Sequence, residues 1–180
     1  MSSPTQAVQP GIPSTSTSIV PVLGPEFENK VYYAKEAYFE TRSGNLISKR
    51  CLIKGSDHIQ ISGKTILQEK LIIRGDLAQI SLGKYVTLLE GVILKPSYKK
   101  HNGKIKFIPM EIGDYVFIEK NTIVSAAKIG SFTRIGKDCI IGHRSIIAEN
   151  VIIADGSIVP PDTIVPAYSL YGGKPSIIDR

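Results

Sequence analysis

The sequence predicts an all-β solenoid, and three features of its 180 residues lead to that prediction. From Ile112 onward the chain divides into segments of six residues, and one segment, 124–128, is a residue short. Ten of the eleven residues that open these segments are aliphatic, although aliphatic residues fill only 50 of the 180 positions. The chain also contains 28 isoleucines and no tryptophan, and an excess of isoleucine favours strands over helices.

The first and fifth positions of each segment are expected to face the core. They lie two residues apart across the junction between segments, and residues two apart in a strand point to the same side. Glycine or proline at the second position permits the corner between faces. Three segments then make one turn of about 18 residues. The leading residues are Ile112, Ile118, Val124, Ile129, Ile135, Ile141, Ile147, Ile153, Val159, Val165 and Tyr171.

A weaker six-residue register runs through the preceding part of the chain. Its leading residues are Ile61, Leu67 and Ile73 and, after a shift, Leu82, Leu88 and Leu94. The fifth position is expected to hold Thr65, Leu71, Leu77, Val86 and Val92. An ordinary β-sandwich is the alternative, but a strict period of six over more than sixty residues favours the solenoid.

The N-terminal segment differs in composition from the rest of the chain. Residues 1–25 contain no Asp, Glu, Lys or Arg and are rich in Ser, Thr and Pro, so we expect 1–28 to be a disordered tail and 29–180 to be the folded domain. The tail lacks the features of a secretory signal or a mitochondrial presequence. Short apolar stretches exclude a transmembrane helix, and two cysteines favour a reducing compartment, so we expect a cytoplasmic protein without membrane insertion.

A basic insertion at 95–111 interrupts the repeat. Five lysines lie in 95–106 without any acidic residue, which accounts for most of the net charge of +6. The insertion is either a solvated loop or a docking arm for an acidic protein surface. Nucleic acid is not favoured, since a single loop without aromatic platforms is a weak signal. The candidate binding residues are Lys99, Lys100, Lys104, Lys106 and Phe107.

The repeat resembles the hexapeptide-repeat superfamily, whose members form left-handed parallel β-helices. The superfamily includes acyltransferases, γ-class carbonic anhydrases and the small β-helical subunits of dynactin. The handedness is implied by this resemblance, because the period alone does not determine it. The period predicts the solenoid well but says little about activity.

A γ-class carbonic anhydrase would hold zinc through three histidines, one closing DGVVLH and two in IGHGAxxH. The corresponding positions here are Lys95, Lys120 and Ser125. Two ammonium groups would repel a dication, and no thiolate replaces the imidazoles, so no metal and no catalysis are expected. The corner 73–76, with Arg74 and Asp76, is similar to one beside that metal site, and a structural ion pair is the favoured interpretation.

An acyltransferase is the other enzymatic alternative. The ending YGGKPS at 171–176 is similar to the VGxPAK exit of the coil in that class. His143 is the candidate base, but no acid partner can be identified for it from the sequence. Arg144, the next residue, is expected to point outward.

The folded part most resembles the small β-helical subunits of dynactin's pointed-end complex. This resemblance implies a non-catalytic, cytoskeleton-associated subunit without a cofactor. It would cap the pointed end with a second β-helical subunit beside a pointed-end actin-related protein, and it would help to recruit dynein cargo adaptors. The alternatives remain a hexapeptide-repeat acyltransferase and a diverged γ-class carbonic anhydrase. The matching segments include 72–78 (IIRGDLA), 116–119 (VFIE), 126–131 (AAKIGS) and 159–161 (VPP).

Overall fold

The protein is a parallel β-helix of six turns in a computed structural model that describes residues 35–173 and 176–179. The chain passes three faces in each turn, here called A, B and C. Two short 3-10 helices, Lys35–Ala37 and Ser56–His58, are the helical elements of the described residues. The predicted all-β solenoid is therefore confirmed. The tail predicted at 1–28 lies outside the described residues.

Each face is a sheet in which successive turns pair in parallel. Face B contains Leu52–Lys54, Ile72–Arg74, Ile93–Leu94, Ile123–Val124, Ile140–Ile141 and Ile158–Val159. Face C contains Ile59–Gly63, Ile80–Lys84, Met110–Ile112, Lys128–Ile129, Ile146–Ile147 and Ile164–Val165. Face A contains Tyr38–Glu40, Leu46–Ser48, Ile66–Leu67, Thr87–Leu88, Phe117–Ile118, Arg134–Ile135, Ile152–Ile153, Leu170–Gly173 and Ser176–Asp179, and its first and last strands are antiparallel to their neighbours.

The core is a stack of the predicted leading residues. All eleven from Ile112 to Tyr171 are buried, with at most 3% of their surface exposed. The fifth position brings hydroxyl groups into this core, and each needs a hydrogen-bond acceptor there. The Thr122 hydroxyl donates to the Gly136 carbonyl at 2.8 Å, and the Ser145 hydroxyl donates to the Gly142 carbonyl at 2.8 Å.

The corners follow a different rule from the one expected for glycine. The left-handed backbone falls at the fourth position, for example at Tyr115, Asn121 and Phe132, with φ between 55 and 57°. Gly113 and Gly142, at the second position, do not have positive φ. They are required because a Cβ atom would meet the backbone of the next turn at 2.7 Å and 2.5 Å respectively.

The register before Ile112 is mostly as predicted. The leading residues from Leu67 to Leu94 are at most 1% exposed, whereas Ile61 in the first turn is only half-buried. The expectation for Leu77 was wrong. The leading residues Ile73 and Leu82 are nine positions apart rather than six, so Ile80 takes the buried position two residues before Leu82 and Leu77 remains half-exposed.

The basic insertion is a β-hairpin that leaves the third turn between faces B and C. Tyr98–His101 pairs antiparallel with Lys104–Phe107, and we call residues 98–107 the lysine hairpin. At its base the Ile108 N–H donates to the Ser97 carbonyl at 2.8 Å. The following strand, Met110–Ile112, already belongs to face C.

Candidate functional site

The lysine hairpin separates charged from apolar side chains. Lys99 lies directly opposite Lys106, and Tyr98 lies directly opposite Phe107. Because opposite residues of an antiparallel pair point to the same side and successive residues alternate, one side carries Lys99, Lys104 and Lys106. The other side carries Lys100 together with the apolar residues. Like charges in directly opposite positions destabilise a strand pair, so an anion would relieve their repulsion.

The hairpin is fixed to the solenoid through its first strand. The Tyr98 ring packs edge-on against the ring of His143, with 5.0 Å between centroids. Nη1 of Arg144 donates to the Tyr98 carbonyl at 2.8 Å, and Nε of the same side chain donates to Asp162 at 2.6 Å. Arg144 lies at the surface, as expected, and it connects the hairpin to the fifth and sixth turns. These contacts connect the first strand of the hairpin to the coil.

His143, the candidate base, lies partly covered by this contact. Its Nδ1 atom is buried and has no hydrogen-bond partner within the described part of the chain. Burial lowers the pKa of His143, and the nearby cations Lys95 and Arg144 lower it further. Within 35–173 and 176–179, no carboxylate therefore accepts a hydrogen bond from Nδ1.

The positions that correspond to zinc ligands lie at two separate places. Lys95 and Ser125 follow the paired residues Leu94 and Val124, so they stack on adjacent turns at one border of face B. Lys120 lies at the corner on the opposite border, with its ammonium 3.4 Å from a carboxylate oxygen of Glu90. Within 35–173 and 176–179, no group of three or more His, Cys, Asp or Glu residues could hold a metal ion.

Arg74 and Asp76 form the ion pair that the sequence suggested. Nε and Nη2 of Arg74 donate to the two carboxylate oxygens at 2.8 and 2.9 Å. These hydrogen bonds lower the pKa of Asp76 despite its partial desolvation. Both side chains are about one-third exposed, so the pair contributes little to stability.

Two grooves lie on either side of the hairpin, and Phe107 lines both. The first has a volume of about 240 Å³ and combines cationic and apolar side chains: Arg74, Leu77, Lys95, Tyr98, Ile105 and Phe107. The second has a volume of about 450 Å³ and is lined by Lys99, Lys106, Phe107, Ile108 and Pro109. Sequence reasoning missed Leu77 and Ile105 as groove residues. The broken repeat at both positions was the available signal.

The solenoid and its hairpin define a hexapeptide-repeat β-helix protein. Residues 26–180 match the family model described as dynactin subunit 5, and the chain belongs to that family. Dynactin subunit 5 of Dictyostelium discoideum is 41% identical over 100 residues, which cover 56% of this chain and 50% of that protein. The alignment thus spans about half the length of this curated relative.

Solved structures share the fold at low sequence identity. A hexapeptide transferase family protein from Anaplasma phagocytophilum superposes with a TM-score of 0.58 at 20% identity, covering 76% of this chain and 78% of the other. Perosamine N-acetyltransferase from Caulobacter crescentus, in complex with CoA and GDP-perosamine, superposes with a TM-score of 0.61 at 14% identity. That match covers 76% of this chain and 56% of the other. These likenesses confirm the hexapeptide-repeat fold and do not extend to activity.

The described residues include no helix that is long and apolar enough to cross a membrane.

Proposed function

We propose that this chain is a non-catalytic structural subunit of dynactin that caps the pointed end together with a second β-helical subunit and a pointed-end actin-related protein. Family membership supports the assignment to dynactin. The observation that carries the capping role is a difference between the two ends of the solenoid. In the first turn Ile53 and Ile59 are half-buried, whereas Ile73 and Ile80, in the second turn, are 0% exposed.

The first turn, like the sixth, also ends the sheets of faces B and C. Leu52–Lys54 is the terminal strand of face B, and Ile59–Gly63 is the terminal strand of face C. A terminal strand presents backbone groups to which another chain can add. At the other end, Val165 and Tyr171 are at most 3% exposed. A second β-helix stacked on the first turn would bury the half-exposed core and extend the sheets.

The non-catalytic part of the proposal rests on His143 and on the three positions that correspond to zinc ligands in γ-class carbonic anhydrases. Lys95, Lys120 and Ser125 supply two cations and a hydroxyl where three imidazoles would be needed. His143 lies against the hairpin without an orienting acid at Nδ1. Neither arrangement supports hydration of CO₂ or acyl transfer.

The adaptor-recruiting part of the proposal rests on the lysine hairpin. Lys99, Lys104 and Lys106 share one side of a hairpin that is fixed to the solenoid, and Phe107 lines an apolar groove on each side. A preformed cationic surface with an apolar anchor suits an acidic surface of a dynein cargo adaptor, because electrostatic complementarity steers association and sets specificity.

Affinity purification of the tagged chain at native expression tests both parts. Ile53→Glu should reduce recovery of the second β-helical subunit, since a carboxylate tolerated at the half-open end would be buried in the assembly. Ser81→Glu is the matched control, because it places the same charge on the outer surface of the second turn. The triple change Lys99→Glu, Lys100→Glu and Lys104→Glu should leave assembly intact and weaken adaptor recovery.

The salt dependence of adaptor binding provides a second measurement. Wild-type affinity should fall as ionic strength rises, whereas the triple variant should bind weakly at all salt concentrations. Wild-type affinity in the triple variant across the salt series would contradict the role proposed for the hairpin. Recovery of dynactin subunits by Ile53→Glu at the level of Ser81→Glu would contradict end-on stacking through the first turn.

A further inference from the structure

An unbroken column of aliphatic side chains runs along the outer surface of face B. The residue before each leading residue points outward, and on face B these residues are aligned in register from turn to turn. Leu52, Ile123 and Ile140 are 50%, 38% and 46% exposed, and the other three are half-buried. The six rungs of this aliphatic column are Leu52, Ile72, Ile93, Ile123, Ile140 and Ile158.

The other two faces show that the coil does not require aliphatic residues at these positions. On face C the equivalent column begins with Gln60, Ser81, Glu111 and Lys128. On face A it is interrupted by Arg134. The preference of isoleucine for strands would apply equally to all three faces, so it does not explain why face B alone is continuous. The largest exposed apolar patch of a monomeric protein typically covers roughly 300–600 Å², and such a patch often marks an interaction site.

The two borders of face B differ in charge. Lys54, Arg74 and Lys95 each lie two residues after a rung, so they point outward beside Leu52, Ile72 and Ile93. Arg74 is paired with Asp76, but Lys54 and Lys95 form no ion pair within 35–173 and 176–179.

At the opposite border, four bases form ion pairs with three acids. The pairs there are Arg50–Glu69, Lys70–Glu90, Lys120–Glu90 and Lys137–Asp155. In the first three turns, a ligand on face B would therefore meet more uncompensated positive charge beside Lys54, Arg74 and Lys95 than along the opposite border, where Lys49 is the cation without an ion pair among the described residues. The equivalent positions of the later turns, Ser125, Gly142 and Pro160, are uncharged.

We infer that face B is the docking surface for an amphipathic helix of a partner chain, with an apolar stripe bordered on one side by carboxylates. The rungs are separated by one strand spacing, about 4.8 Å, which is close to the helical pitch of about 5.4 Å. A helix along the solenoid axis can place one apolar side chain per turn near each rung. Six rungs span about 24 Å, the length of about 16 helical residues.

The charge difference fixes how the helix lies on face B. Its carboxylates face Lys54 and Lys95, and its uncharged side faces the opposite border, where the ion pairs lie. This inference concerns the flat surface of the coil and does not depend on the adaptor role proposed for the lysine hairpin.

The first experiment measures binding of two synthetic helices to the full chain by fluorescence anisotropy. Both have about 16 residues with leucine once per turn, and one flank is glutamate in one peptide and lysine in the other. The glutamate peptide should bind at least about tenfold more tightly, and the double change Lys54→Glu with Lys95→Glu should reverse the order. Equal affinity of the two peptides for the wild type would overturn the inference.

Paired threonine substitutions locate the binding surface. Ile123→Thr with Ile140→Thr keeps β-branched side chains on face B and should weaken the glutamate peptide at least about tenfold. Ile146→Thr with Ile164→Thr changes the equivalent column on face C and should leave binding unchanged. Thermal unfolding of the two double variants shows whether they are folded to the same extent. Equal loss of binding in the two pairs would place the site elsewhere and overturn the inference.

Photo-crosslinking distinguishes the possible occupants of face B. The photoreactive residue p-benzoylphenylalanine replaces Ile140 in the full chain, and mass spectrometry identifies what it captures in the presence of the glutamate peptide. Capture of the peptide supports the inference. Capture of a second copy of the chain, or of residues 1–34 of the same chain, in preference to the peptide would overturn it.

Discussion

Ile140 and Ile141 are adjacent in sequence but lie on opposite sides of one strand, and they provide a direct test of the six-residue register. Ile141 is 1% exposed and stacks between Val124 and Val159 of the neighbouring turns. Ile140 is 46% exposed on the outer surface of face B. Both residues are isoleucine and they are neighbours in the chain. A difference in stability between the same substitution at the two positions therefore reports the difference in burial.

Replacement of Ile141 by alanine should be the costly change. It removes three carbon atoms from the core, which costs about 2.4 kcal/mol at about 0.8 kcal/mol per buried CH₂. The neighbouring valines belong to strands held by backbone hydrogen bonds, so they cannot close the cavity completely. The cavity raises the total cost to about 3–4 kcal/mol. For a domain of this size that corresponds to a loss of about 6–16 °C in Tm.

Ile140→Ala is the matched control. About half of that side chain is already in water, and its removal leaves no internal cavity, so the expected cost is about 1 kcal/mol. Urea unfolding followed by circular dichroism measures both free energies of unfolding, and thermal unfolding gives both Tm values. Equal destabilisation by Ile140→Ala and Ile141→Ala would refute the register on which the core assignment rests.

Three further outcomes follow from the site. The purified protein should contain substoichiometric zinc and should not hydrate CO₂, as measured by metal analysis and a CO₂ hydration assay; one zinc per chain with activity would contradict the non-catalytic proposal. Because burial and neighbouring cations lower the pKa of His143, the unfolded chain binds its proton first as pH falls, so stability should decrease below about pH 6.5. Urea unfolding at pH 7 and pH 5.5 measures this loss, and His143→Gln should lose less free energy of unfolding between the two pH values than the wild type does. An equal loss in the two proteins would contradict the role of His143. Arg144→Gln should release the Tyr98 carbonyl and accelerate trypsin cleavage within the lysine hairpin, whereas wild-type cleavage kinetics would show that Arg144 does not hold it.

The regular part of the coil could be predicted from the sequence because each leading residue repeats the same local pattern. Ile135 and Ile141 are buried for the same reason, and each was assigned by position alone. The register failed at Leu77 because the leading residues on either side of it, Ile73 and Leu82, are nine positions apart rather than six.

The hairpin contacts could not be predicted because they join distant parts of the chain. Arg144 and the Tyr98 carbonyl are 46 residues apart in sequence, and the period carries no information within an insertion. The aliphatic column of face B was accessible in principle, since every third segment contributes one rung. Finding it requires the residues before the leading positions to be sorted by face.

The separation of core from surface explains how coils of one fold can differ in their surface chemistry. The leading and fifth positions determine burial, whereas Lys95 and Lys120 are exposed and can be exchanged without changing the core. Side chains at these two positions contribute almost nothing to packing, whereas Ser125 is only 6% exposed. A change at Lys95 or Lys120 should therefore leave the solenoid intact, and the cation at Lys95 adds positive charge to the border of face B. For this reason the shared fold with acetyltransferases gives no information about activity, which depends on the outer residues of each face.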